Sequence, residues 1–412
     1  VDPTKFSGGV LADNLIKFTQ LKGMGWNLPA ATVNYVFGSM QVWRWAAGQE
    51  DFDETTTREA MFIMMGASLN SLSFNMATKS IPNASKIQGT MMTLNVLKDY
   101  TEVRWDATKA ADPKEKQKWL DRVSPYHLQK TSEYFVYGLS TISHLKFVKV
   151  NGVSLWDSMD NDGIIQLEGY RPGEAEFNKL VAHLDQMNKA IHGNYDPDSP
   201  IAIKKTLLGP MLMQFRSWLP EGIAQRGQSM RYDTALEREV KGTFNTFGEH
   251  GMAAWSQLPK LLLPFMAKKM TVEGLSKVDE ANVRKTAASI RQLMAVLLMV
   301  AILKGAIDDD DEDTAVLNYM LNIMGRVQND LTFFHNPYSI QAMSKDALPV
   351  FKLARDLAKF GEAGMLTIMG DGTIPTGSYA GRYRMLHHGG KLIPFPGAVM
   401  KTARNFDIVQ LQ

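Results

Sequence analysis

Five residues between positions 157 and 168 have the types that a calcium-binding loop requires: Asp157, Asp160, Asp162, Gly163 and Glu168. Such a loop needs oxygen ligands at its first, third and fifth positions, glycine at the sixth and a bidentate glutamate at the twelfth. With Gly163 sixth, the first position is Ser158 and the twelfth Gly169; with Asp157 first, the third is Met159. The register fails, and a polar turn is the reading. The acids from Asp308 to Asp313 read as a solvated loop rather than a preorganised cation cage. His183 and His192 are nine residues apart and His387 and His388 are adjacent, so neither pair has the i, i+4 spacing of a helical zinc site. Surface or core histidines are expected.

The sequence contains no phosphate loop, no metalloprotease helix of the His-Glu-x-x-His type and no Gly-x-Ser-x-Gly elbow. Acids such as Glu133 and Glu168 cannot be singled out as a general acid and base among 43 carboxylates. No catalytic residue, metal ligand or cofactor is therefore expected, and the chain is read as acting by physical association. One charged stretch does suggest contact. From 380 to 405 the chain carries Arg382, Arg384, Lys391, Lys401 and Arg404 with no acid, interleaved with Tyr383 and Phe395. Such an arm suits an acidic protein partner or, through phosphate contacts and stacking, nucleic acid.

Lys and Arg number 45 against 43 Asp and Glu, so the net charge of +2 argues against a surface built throughout for nucleic acid. With no cysteine, disulfides, thiolate nucleophiles and Cys-type zinc sites are excluded together. The 25 Met supply adaptable apolar surface. A start at Val1-Asp2-Pro3 reads equally as a released fragment or a trimmed piece, and no secretory signal pattern is seen there.

The elements that must position these residues are mainly α-helical. Pro at a first helical position after a small polar residue marks starts at Asp112-Pro113, Ser124-Pro125 and Ser199-Pro200, and Arg171-Pro172 adds a start without a good cap. Leu128, Phe135, Leu139 and Ile142 share a helix face, as do Phe177, Leu180, Val181, Leu184, Met187 and Ile191, with Gly193 as the cap. Helical patterns also cover 29–47, 54–77, 84–109, 251–269, 279–306, 314–330 and 345–362. The β structure expected is one small hairpin near 146–156, turning at Asn151-Gly152. The Gly- and Pro-rich end, 370–412, reads as an extended arm. The predicted organisation is two or three packed helical subdomains: an N-terminal helical region over 1–122, a region with the hairpin and a kinked helix over 123–245, a C-terminal helical region over 246–369, and the arm.

The longest apolar run, from Leu293 to Leu303, is 11 residues, short of the ~17–25 that a span requires. A buried helix is the first reading. A segment that enters a membrane after rearrangement is the second, through Leu293, Val296, Leu297, Val300 and Leu303. Farther upstream, Pro210 should kink the helix that follows Ser199, whose apolar ridge includes Phe215 and Trp218. Gln214, Phe215, Arg216, Trp218 and Arg226 then form a partner-binding set, Arg and Trp being frequent interface anchors.

The stretch Leu207-Leu-Gly-Pro-Met-Leu-Met-Gln-Phe-Arg-Ser-Trp-Leu-Pro220 with Arg226-Gly227 resembles the large polyvalent protein-associated regions of giant virion-packaged proteins of crAss-like and related short-tailed phages. Similar pieces occur in the same order: 124–140, Ser154-Leu-Trp-Asp157, Ile191-His-Gly-Asn-Tyr195, Leu331-Thr-Phe-Phe-His-Asn-Pro337, Gly381-Arg-Tyr-Arg-Met-Leu386 and Lys391-Leu-Ile-Pro-Phe-Pro396. The resemblance covers roughly 124–400. It implies an internal cargo or ejection protein held in the capsid interior, portal or tail channel among other virion proteins in a multi-copy assembly. Such a protein leaves with the genome for the host envelope or cytoplasm, with DNA and the host membrane as further contacts. The other role it implies is a non-catalytic accessory domain processed from a virion RNA polymerase polyprotein, binding polymerase or nucleic acid. Nothing here matches that polymerase's catalytic motifs, so its activity is not carried over.

Overall fold

A computed structural model describes residues 27–72, 84–96, 127–193, 218–262, 274–306, 315–333, 349–376 and 380–392. Among them the chain is mainly α, with twelve helices and two small antiparallel hairpins. The first region holds α1 (Leu28–Ala47), α2 (Glu54–Leu72) and α3 (Ala84–Thr93). After it come α4 (His127–Phe147), β1 (Lys149–Val150), β2 (Val153–Ser154), α5 (Ala175–His192) and α6 (Trp218–Gly227). A second hairpin, β3 (Arg231–Asp233) with β4 (Arg238–Val240), leads into α7 (Thr243–His250) and α8 (Met252–Leu261). The last four helices are α9 (Lys277–Ala306), α10 (Ala315–Thr332), α11 (Pro349–Ile368) and α12 (Arg384–Leu392).

The main core forms where α4 lies against both α1 and α2. Phe135, Leu139 and Ile142, placed on one face by the helical period, are fully buried there with Val42, Phe52 and Met64. On α5 the expected face is buried through Phe177, Leu180, Leu184, Met187 and Ile191, with Val181 at its edge. Gly193 ends this helix at positive φ, its N–H donating to Lys189. The core thus draws on both 1–122 and 123–245.

Local chemistry explains several helix ends. Asp53 caps α2 by accepting from the N–H groups of Thr55 and Thr56. Ser276 caps the start of α9, its Oγ accepting from Asp279 N–H and donating to the Asp279 carboxylate. The helix expected over 84–109 stops instead at Thr93: Asn95 is left-handed, and the N–H groups of Asn95 and Val96 close onto Met92 and Met91. Asn tolerates that conformation better than most residues.

The hairpin predicted near 146–156 is present but shorter, because Lys146 and Phe147 belong to α4. Asn151 and Gly152 both have positive φ, as its two-residue turn requires. Three predictions need revision. The β3–β4 hairpin was not expected. The end of the chain is not an extended arm where it is described: Thr373 bridges Tyr383, and α12 then packs back on α11. Glycine at 389 permits this, since a Cβ there would meet the Phe360 ring at 3.0 Å. The third revision concerns α9, where the buried-helix reading fails over 293–303: Val296 and Leu303 are buried while Met294, Leu297, Leu298, Met299 and Ile302 are exposed.

Between α3 and the 160–163 turn, two backbones touch. A Cβ on Gly89 would lie 2.2 Å from the Asp162 carbonyl oxygen, and one on Gly163 would lie 2.1 Å from Thr90 N. Gly89→Ala should therefore lower unfolding stability by ~1–3 kcal/mol, the usual cost of overpacking. Gly66→Ala, in exposed helix with open space around it, should raise it by ~0.5–1 kcal/mol. Urea midpoints of the two variants check both signs.

Candidate functional site

A buried polar network converges on the short loop between α1 and α2, Glu50-Asp51-Phe52-Asp53. Each residue has a separate task. Phe52 is fully buried in the core and Asp53 caps α2. Glu50 pairs with Lys285 of α9 and lies 3.6 Å from Arg238 of β4. Asp51, only 2% exposed, is the centre of the network.

Asp51 Oδ2 accepts from Trp45 Nε1 at 2.6 Å and from Arg238 at 2.8 Å. Its Oδ1 accepts from a second Arg238 nitrogen and lies 2.9 Å from His183 Nε2, while its backbone oxygen lies 2.9 Å from His144 Nδ1. The imidazoles of His144 on α4 and His183 on α5 stack at 4.6 Å. Lys285 Nζ sits 3.9 Å above the Trp45 ring as a cation–π contact. One loop thus ties α1, α4, α5, β4 and α9 together.

Burial by itself would raise the Asp51 pKa, but hydrogen bonds and charge from His183 and Arg238 hold the carboxyl well below its ordinary value. Lys285 moves down: burial disfavours its charge more than Glu50 restores it. His144 is pushed down to about 4, first by burial and then by repulsion from His183. His192, half-buried against the Tyr137 ring at 4.7 Å, is pushed down to about 3 by burial of its ring, and its buried Nε2 has no hydrogen-bond partner.

Ligand atoms of Asp51, His144 and His183 lie within 4.8 Å of one another, a spacing that suits a metal ion. The donor set argues against one. Four donor nitrogens already occupy the Asp51 carboxylate oxygens, two of them from a bidentate guanidinium that a cation would have to displace. The arrangement is that of a structural ion-pair node.

A second node holds the start of α9. The buried Asp279 carboxylate accepts from Lys241 at 2.9 Å, Thr246 at 2.8 Å and Ser276 at 2.6 Å, with His250 Nε2 at 3.0 Å. Burial opposes its charge, yet those bonds win and its pKa is lowered. Beyond this anchored half, α9 changes character. Over Lys277–Gly305 it is long and apolar enough to cross a membrane by length and composition, with 22% of its most apolar window buried.

The residues singled out from sequence are dispersed. Val296 packs inward with Ile323 and Val327, Leu303 is buried, Leu293 and Val300 are half-buried, and Leu297 is exposed. Arg226 lies on α6; Trp218 and Lys391 are in helices, but their side chains lie outside the described residues. Gln214, Phe215, Arg216, Lys401 and Arg404 also lie outside them, as do the Asp112, Ser124 and Ser199 helix starts and the acids 308–313. Arg382 is exposed, and Arg384 pairs with Asp371 at 3.0 Å. The acids of the 157–163 turn serve local structure: Asp160 accepts from Asp162 N–H, Ile164 N–H and Gln166. Asp51 and His144 were missed. Their available signal was an acidic loop holding a phenylalanine just before the Asp53-x-x-Thr56 cap.

Fold and site together define a helical protein organised by buried ion pairs. Comparison with protein-family models, curated proteins and solved structures finds no match for this chain.

Asp51→Asn removes the bidentate partner of the buried Arg238 and leaves it only the more distant Glu50, so stability should fall by ~3–5 kcal/mol at neutral pH, read from denaturant unfolding. Acid acts on the histidines first. Their folded pKa values lie below the ordinary 6.5, so the unfolded chain takes up protons sooner, and their contribution, complete above pH 6.5, drains away as pH falls toward 4 and 3. The Asp51 contribution is lost only below the ordinary 3.8. His192→Phe should keep the ring packing, raise stability by ~1 kcal/mol at pH 7 and flatten its decline between pH 6.5 and 4, as followed by thermal melts across that range.

Proposed function

We propose that this chain is an internal structural protein of a tailed-phage particle, packaged in the capsid, portal or tail and delivered with the genome. It acts by association, in a multi-copy assembly with other virion proteins, and carries out no chemistry of its own. After release it meets the host envelope, where the second half of α9 contacts lipid and assists genome passage.

The observation that carries this reading is the division of α9. Its first half is fastened by the Asp279 node, by Lys285 with Glu50 and by Arg291 with Glu54. Its second half packs one stripe against α1 and α10 and leaves Met294, Leu297, Leu298 and Ile302 to solvent, the last two 63% and 61% exposed. Contiguous exposed apolar surface of this kind marks a binding face. The ordered resemblance over roughly 124–400 supplies the particle as its setting.

Mass spectrometry of intact phage particles and of particles emptied of DNA tests the proposal. The chain should be present in the first and lost from the second, and the purified chain should float with liposomes. Retention in emptied particles contradicts delivery, and failure to float contradicts the lipid contact.

A further inference from the structure

A small cavity of about 50 Å³ lies between α1, α5, α6, the β3–β4 hairpin and α9. That is several times the roughly 10–15 Å³ that a single water needs. Four cations on its wall have carboxylate partners: Arg231 has Asp233, Arg238 has Asp51, Lys241 has Asp279 and Lys285 has Glu50.

Arg44 is different. It is 6% exposed, and its guanidinium is held only by two neutral amide oxygens, Gln41 Oε1 at 3.0 Å and Gln225 Oε1 at 2.6 Å. Among the described residues no carboxylate pairs with it. Those two bonds leave three of the five guanidinium donors over. Arg226 is near enough to feel that charge: its pKa is lowered to about 9, by burial and then by Arg44. Arg238 Nε, also buried at the cavity wall, makes no hydrogen bond, the Glu50 carboxylate lying 3.6 Å from it.

A buried cation without a counter-charge is costly, and a planar guanidinium with spare donors matches an oxyanion in geometry. We propose that this cavity binds a phosphate-class oxyanion, either free phosphate or a terminal phosphoryl group, with Arg44 supplying the central charge and Arg238 Nε a further donor. Gln41 and Gln225 hold the Arg44 plane in place. The carboxylates Glu50, Glu221 and Asp233 also line the space. Their negative charge opposes an anion and a polyanion most strongly, which limits the site to a small one held by Arg44. The inference is independent of the particle setting.

The test is titration calorimetry and thermal melting of the full chain with inorganic phosphate, against sodium chloride of equal ionic strength. Saturable heat and a rise in Tm are expected. Arg44→Met, which removes an uncompensated charge, should fold and lose at least tenfold in phosphate affinity, and Arg44→Lys should retain part of it. Lys179→Met, at an exposed pair with Glu176, should respond like the unaltered chain. Competition by a 5′-nucleoside monophosphate supports a terminal phosphoryl ligand, and its absence supports free phosphate. No saturable response, or an equal response in Arg44→Met, overturns the proposal.

Discussion

A single carboxylate in a dry interior must find its counter-charge, and the fold is arranged around that need. Asp51 satisfies it with Arg238, Trp45 and His183, each brought by a different element. Burying such a charge costs several kcal/mol and is repaid only by a full set of well-placed donors. Register errors among α1, α5 and β4 would leave the charge unpaired, so the node selects one arrangement of helices. Apolar packing alone, rich in Met and tolerant of shifts, would discriminate less.

The nodes also explain why α9 has two characters. About 45 Å long at 1.5 Å per residue, it extends well past its buried polar anchors. Asp279 and Lys285 fix its first half, whereas the second rests on one apolar stripe against α10 and α1. The exposed opposite face is therefore available without dismantling the core. On the reading proposed above, that face serves association.

Much of the helical architecture was legible because its signals are local. Apolar spacing on α4 and α5 placed the core faces, and Asn151-Gly152 placed the first turn. The helix end at Asn95 was also written locally, but its left-handed cap competes with a pattern that continues past it. The site was not legible. Asp51 is 132 residues from His183 and 187 from Arg238, and only tertiary packing brings them together. Arg44 likewise reads as an ordinary arginine within an apolar helix, since its lack of a counter-charge is a property of the assembled interior. Conversely, the acids near 160 carried the types of a cation site and serve as turn caps.

A double-mutant cycle tests the central role of Asp51 most directly, using Asp51→Asn, Arg238→Met and the combination, with stability measured by denaturant unfolding at neutral pH. Coupling of about 3 kcal/mol, with the double variant less impaired than the two single costs together, is the predicted result. Coupling within ~0.5 kcal/mol of zero would contradict the account, because the helices would then owe their arrangement to apolar packing alone.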